Sequence, residues 1–232
     1  MLSHDITSQA MLIHHHEKTG RVTITTHAVK EIDKGKGFTL GAGRAFSTHD
    51  KQALVELLLN EEPALEFLPN NLLARGRGCL AWYRPAQLAQ LPFPKEIITT
   101  PLPGLIFVAM DGKPLRCFAY AQTARPGPDT PLCYVPLGNV YQDGSFCTGN
   151  VELPTEILNE HIPVWERFVL ESTNTHEGSI QPVQGCENFA AMLVFYRDLA
   201  HAGESTFPVE RLVPVLHQGA AVTLQSILRK HH

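Results

Sequence analysis

Leu105-Ile106-Phe107-Val108-Ala109-Met110, then Asp111-Gly112-Lys113-Pro114, then Leu115-Arg116-Cys117-Phe118-Ala119-Tyr120 is the stretch that decides the fold class. Two short apolar runs bounded by turn residues read as buried strands. Asp-Gly followed by Lys-Pro is turn chemistry and returns the chain as an antiparallel hairpin. A third run, Cys79-Leu80-Ala81-Trp82-Tyr83, lies upstream. A fourth, Leu132-Cys133-Tyr134-Val135, follows the Pro- and Gly-rich loop from Arg125 to Pro131. Together they predict a four-stranded antiparallel meander whose inner face packs on helices.

The flanks carry different patterns. Pro63 to Gly78 reads as irregular. Before it, Ser47 and Asp50 form a helix start signal, Leu54, Leu57 and Leu58 share one helical face, and Asn60 suits a stop. Ala10 to His14 and Val22 to Val29 read as strands, with a loop at Lys34-Gly35-Lys36-Gly37. Gly41-Ala42-Gly43-Arg44 reads as a turn, and it lacks the Gly-x-Gly-x-x-Gly spacing of a phosphate cradle. Downstream, Pro154 to Asn159 forms a turn or two, and Pro163 opens a helix bearing Trp165, Phe168 and Val169. Phe189, Met192, Leu193, Tyr196 and Leu199 recur at helical spacing. Leu212 to Leu228 suggests one or two closing helices, interrupted near Gly219. The order predicts an α+β fold: an N-terminal extension over 1–62, strands plus helix, packed on a core over 63–232.

Composition narrows the function. The 232 residues are 44% hydrophobic and 18% charged, which is globular rather than disordered. A formal charge of −4 argues against a general electrostatic grip on nucleic acid. No apolar run is long enough to span a bilayer, so no membrane role is expected. The opening Met-Leu-Ser-His-Asp lacks the basic and apolar regions of a secretory signal. The five cysteines are an odd number without a Cys-x-x-Cys pair, so the expectation is a reducing cytoplasm with no disulfide framework or zinc ribbon. His14-His15-His16 is eye-catching, but strand neighbours point to opposite faces and do not readily share one metal. No metal or resident cofactor is expected.

Chemistry concentrates in Pro136-Leu137-Gly138-Asn139-Val140-Tyr141-Gln142-Asp143-Gly144-Ser145-Phe146-Cys147-Thr148-Gly149-Asn150. The segment is turn-like, and Cys147 emerges from it shortly after Asp143-Gly144. Cys79, Cys117 and Cys133 sit in apolar runs, where a thiol behaves as a small hydrophobe. Cys186 follows a glycine on a loop. Residue physics leaves Cys147 open between a nucleophile and an ordinary loop residue.

Asn139-Val140-Tyr141 through Asp143-Gly144-Ser145-Phe146-Cys147 resembles the active-site signature of ubiquitin-conjugating enzymes. That signature runs His-Pro-Asn-Val/Ile-Tyr, a short turn, then Asp-Gly-x-Ile-Cys-Leu, and the eight-residue step from Asn to Cys is the same here. The fold it implies places a four-stranded meander before the signature and helices after it. Within that superfamily the chain resembles a prokaryotic branch, the protein B family of the plasmid-borne PRTRC cassette. Pro136, Asn139, Val140, Gly144, Cys147, Gly149 and Asn150 carry the likeness, with Phe168, Ser172, Thr175 and His176 further on. Leu137-Gly138 replaces the His-Pro pair, and Thr-Gly-Asn-Val-Glu-Leu-Pro replaces the run after the cysteine. No acidic residue that orients a lysine carries over, since Glu152 reads as a solvated loop charge.

The resemblance implies a carrier that takes a ubiquitin-like C-terminus as a thioester on Cys147 and passes it to an amine. It implies Asn139 as the amide donor to the developing oxyanion and His176 as a base or orienting group. Residue physics leaves both a second reading: Asn139 as a turn residue bonding its own backbone, and His176 as a plain surface histidine. The implied partners are an adenylating enzyme of the ThiF type and a small ubiquitin-like protein. The alternative is a non-catalytic scaffold of the same fold within a plasmid-maintenance assembly.

Overall fold

The computed structural model of the protein describes residues 8–32, 37–59, 68–76 and 78–229. The chain divides into two compact units, Met1–Glu66 and Phe67–His232. The loop expected from Lys34, the stop expected at Asn60 and the boundary expected at 62/63 fall outside the described residues.

In the first unit, β1 (Gln9–His16), β2 (Arg21–Ile32) and β3 (Gly37–Ala45) form an antiparallel sheet in that order, and α1 (Thr48–Leu59) follows. Ser47 and Asp50 make the capping box their spacing announces. The Asp50 N–H donates to Ser47 Oγ (3.2 Å) and the Ser47 N–H to Asp50 Oδ2 (2.8 Å). The Arg44 guanidinium grips the same carboxylate at 2.5 and 2.6 Å, and with the Ser47 hydrogen bonds holds its pKa well below the usual range.

Gly41 to Arg44 is strand, not turn. The glycines serve a close approach: a Cβ on Gly43 would lie 2.5 Å from the His27 ring, and His27 Nδ1 bonds Gly41 O at 2.9 Å. Histidines 14 and 16 lie on one face of β1, bonded to Thr25 (2.9 Å) and Thr23 (3.2 Å), while His15 takes the other. Among the described residues no group of three or more His, Cys, Asp or Glu is placed to hold a metal ion.

The second unit is built on a five-stranded antiparallel sheet. Its strands are β4 (Leu72–Gly76), β5 (Cys79–Arg84), β8 (Gly104–Met110), β9 (Arg116–Tyr120) and β10 (Cys133–Tyr134), and the spatial order is β10-β9-β8-β5-β4. Two features depart from the expected four-stranded meander. Strand β4 occupies part of the stretch expected to be irregular. Between β5 and β8 the chain makes a separate ribbon, β6 (Gln87–Phe93) with β7 (Glu96–Leu102). Pro92 and Pro101 sit inside it, which a two-stranded ribbon allows because each strand keeps an unpaired edge.

Every residue of β8 is buried, since both sheet faces are covered. On one face Trp82 stacks on Phe107 (5.2 Å between centroids) and on Trp165 (5.4 Å) of α2 (Ile162–Glu171). Helix α3 (Phe189–His201) joins this layer through Met192 and Tyr196. On the other face Ala81, Ile106, Val108 and Phe118 meet Leu132, Val215, Val222 and Leu224. The closing helices expected from Leu212 reduce to α4 (Leu224–Arg229). The chain before it is extended, with a small hairpin of β11 (Leu216–His217) and β12 (Ala220–Ala221). Its backbone pairs with Leu132, which accepts from the Val215 N–H (2.9 Å) and donates to Val222 O (2.8 Å). Pro154 to Leu158 is irregular. Among the described residues no helix is long and apolar enough to cross a membrane.

Candidate functional site

The Asn139–Cys147 segment folds into a tight hairpin. The Gly144 N–H donates to Tyr141 O (2.9 Å) and the Tyr141 N–H to Ser145 O (2.8 Å). Asp143 Oδ1 accepts from the Ser145 N–H (3.0 Å) and hydroxyl (2.6 Å), a local bond that favours the turn. Gly144 has φ +83, and a Cβ there would lie 2.5 Å from the Phe118 ring, so only glycine fits. The Cys117 N–H donates to Gly144 O (3.0 Å), docking the hairpin on β9. Upstream, the buried Tyr196 of α3 donates its hydroxyl to Pro136 O.

Alternation sorts the hairpin's side chains. Val140 and Phe146 pair across it and are buried, with Phe146 edge-on to Phe168 of α2 at 6.2 Å. Tyr141 and Cys147 therefore share the opposite side as diagonal neighbours, Tyr141 exposed and Cys147 half-buried, beside the buried Asn139 and Ser145. The Tyr141 side chain, in a residue 40% exposed, and the Gly149 N–H are the polar groups that act on the Cys147 sulfur. The Tyr141 hydroxyl first, then the Gly149 N–H, hold the Cys147 thiol below its ordinary pKa, and the Tyr141 hydroxyl is raised in return. Burial pushes the thiols of Cys79, Cys117, Cys133 and Cys186 up. Cys147 is thus the half-exposed thiol whose surroundings favour the nucleophilic form.

Asn139 lies at the root of the hairpin, 8% exposed, with φ +62. Its carbonyl accepts the Cys147 N–H at 2.8 Å. Its side chain turns to the α2–α3 connection: Nδ2 donates to Thr173 O (2.8 Å), and Oδ1 accepts from the Thr175 N–H (3.1 Å) and hydroxyl (2.8 Å). The amide expected to face the reaction is engaged on this strap. The His176 carbonyl accepts the Asn139 N–H (2.8 Å), while its exposed imidazole bonds Thr175 Oγ1 through Nδ1 (2.9 Å). Because the Thr175 hydroxyl donates to Asn139, its oxygen accepts from the Nδ1–H of His176. Among the described residues no hydrogen bond joins the His176 ring to Cys147. The structure therefore links Cys147, Asn139 and His176 through backbone groups.

Two residues escaped sequence reading. Tyr141 had a legible signal, since it and Cys147 flank the Asp-Gly turn at positions that alternation puts on one side. Asn174 had none, because its partners Gly138 and Pro92 are 36 and 82 residues away. Beside the cysteine, a cavity of about 440 Å³ opens between Met110, Lys113, Leu115, Thr148, Leu153 and Trp165. Glu152 stays exposed.

Among known families, the model of prokaryotic E2 family D matches residues 50–215, a span that contains Asn139, Cys147 and His176. No curated protein and no solved structure matches the chain.

Proposed function

The chain belongs to prokaryotic E2 family D, and on that premise we propose that it is a ubiquitin-conjugating-like carrier working through a thioester on Cys147. The observation that carries this reading is the contrast among five thiols: Cys147 stands half-buried on a turn-built hairpin with its thiol held down by Tyr141 and Gly149, while burial pushes the other four up. In the loading step the Cys147 thiolate attacks the carbonyl carbon of a ubiquitin-like C-terminus carried as a thioester by a ThiF-type activating enzyme. The new S–C bond forms as the donor thiolate leaves, so no strong base is needed. In discharge an acceptor amine attacks the same carbon, the Cys147 thiolate departs, and the amine proton passes to water or to His176 Nε2. Asn139 has a second amide N–H besides the one bonded to Thr173, and this one is the donor to the oxyanion. The likeness of the motif to the PRTRC protein B branch supports the same assignment here, with a plasmid-associated, cytoplasmic setting. The partners are an activating enzyme and a small modifier, with no membrane or nucleic-acid contact and no resident cofactor.

The test is incubation with the ThiF-type enzyme, ATP and the modifier, followed by non-reducing electrophoresis. Wild type gives a band that reductant removes, and Cys147→Ala gives none. The engagement of Asn139 on the strap, together with the loss of His-Pro, favours a second reading as a non-catalytic scaffold. Absence of charging in wild type, or an equal band in Cys147→Ala, decides for it.

A further inference from the structure

Gly138, the residue before Asn139, leaves no room for a side chain. A Cβ there would lie 2.9 Å from His176 O and 3.1 Å from Asn174 Oδ1. Its N–H donates to Asn174 Oδ1 at 2.7 Å. Asn174 is 3% exposed, and its own N–H and Nδ2 both donate to Pro92 O in β6 (2.8 and 3.1 Å). One side chain thus ties the β6–β7 ribbon to the root of the cysteine hairpin. From there the path to the thiol is short. The Asn139 N–H bonds His176 O, and Asn139 O holds the Cys147 N–H, each at 2.8 Å. Further along, the strap runs beside the hairpin: the Ser179 N–H donates to Val140 O (3.2 Å) and the Gln142 N–H to Ser179 Oγ (2.9 Å).

We propose that Asn174 is a positioning residue for Cys147: by fixing Gly138 and Asn139 against β6, it sets the hairpin register that puts Cys147 diagonally across from Tyr141. It touches no reacting atom. It deepens the carrier reading, on which it rests only for the reason the thiol must be placed. Gly138 and Asn174 form a matched pair: the missing Cβ admits the amide oxygen, and the amide oxygen satisfies a buried N–H that has no other partner among the described residues.

The test is the pH profile of iodoacetamide alkylation at Cys147, followed peptide by peptide, in the full chain with Asn174→Ala and Asn174→Asp. Alkylation needs neither activating enzyme nor modifier, so a failure of charging leaves this result readable. Asn174→Ala removes the acceptor for the Gly138 N–H. Its profile moves to higher pH, and the rate at pH 7 falls about 3- to 10-fold, the scale of one lost hydrogen bond. Asn174→Asp keeps that acceptor and loses the Nδ2 donor to Pro92. Its thermal midpoint falls with that of the alanine variant, yet its alkylation profile stays within about twofold of wild type. Should Asn174→Ala not fold, Asn174→Thr, one atom too short to span the gap, takes its place with the same expected shift. A profile unchanged in every variant, or moved equally in the alanine (or threonine) and aspartate variants, overturns the proposal and leaves Asn174 a fold residue.

Discussion

Gly178→Ala is the sharpest perturbation of the strap that closes over the cysteine hairpin. Gly178 has φ +71, and a Cβ on it would lie 1.9 Å from Val140 O, 2.8 Å from its carbonyl carbon and 2.9 Å from its nitrogen. All three are backbone atoms, so no side chain can rotate aside. Relief requires the strap to retreat by about 1 Å, since non-bonded heavy atoms settle only beyond about 3 Å. The retreat breaks the bonds from the Ser179 N–H to Val140 O and from the Gln142 N–H to Ser179 Oγ, each about 0.5–1.5 kcal/mol. The left-handed backbone adds about 1–2 kcal/mol for a residue with a Cβ. The expected loss is about 2–5 kcal/mol in all. Urea unfolding followed by tryptophan fluorescence measures it, because both tryptophans, Trp82 and Trp165, lie in the core of the second unit. Gly203→Ala is the control: φ there is +68 but nothing lies within 4 Å, so only the backbone cost of about 1–2 kcal/mol remains. Equal losses in the two variants would refute the argument that the strap is seated on Val140.

Three further outcomes are expected. Tyr141→Phe removes the hydroxyl that holds the Cys147 thiol down, so the pH profile of Cys147 alkylation moves upward and the rate at neutral pH falls severalfold, with the thermal midpoint little changed, as suits an exposed side chain. A mild alkylating reagent labels Cys147 before Cys133 and Cys117, as mass spectrometry of the native protein over time would reveal; Cys117, buried with its thiol pushed up, reacts last. Glu166 accepts from Trp82 Nε1 (3.0 Å), and burial raises its carboxyl pKa, partly offset by Arg84 and Trp82. Its ionised form is disfavoured in the fold, so the stability tied to this group is full below the unfolded pKa and declines as pH rises through the folded value; Glu166→Gln, which still accepts from Trp82, flattens that decline in urea midpoints measured between pH 4 and 7.

Tracts that carry their own local physics were legible. Ser47 and Asp50 announce a helix start because the capping bonds form within four residues. The spacing of Phe189, Met192, Leu193 and Tyr196 announces α3, and the apolar runs at 79, 105 and 116 lie in strands of the sheet. The emergence of Cys147 from a turn was legible too, since Asp143 and Gly144 build that turn from adjacent groups. The Leu212–Val222 stretch misled because apolar residues three apart also suit an extended chain laid across a sheet face.

The sequence by itself determined where the chain turns, which runs are apolar and which cysteine stands on a loop, because propensity, capping and turn bonds span only a few residues. Tertiary structure alone decided that β6 and β7 leave the sheet, and that Gly41 and Gly43 serve a histidine ring. It also decided that the Asn139 amide faces the strap and that Asn174 bridges Pro92 to Gly138. Those outcomes depend on groups brought together from 14 to 82 residues away, where the demand that each buried polar group find a partner acts only once the core has closed.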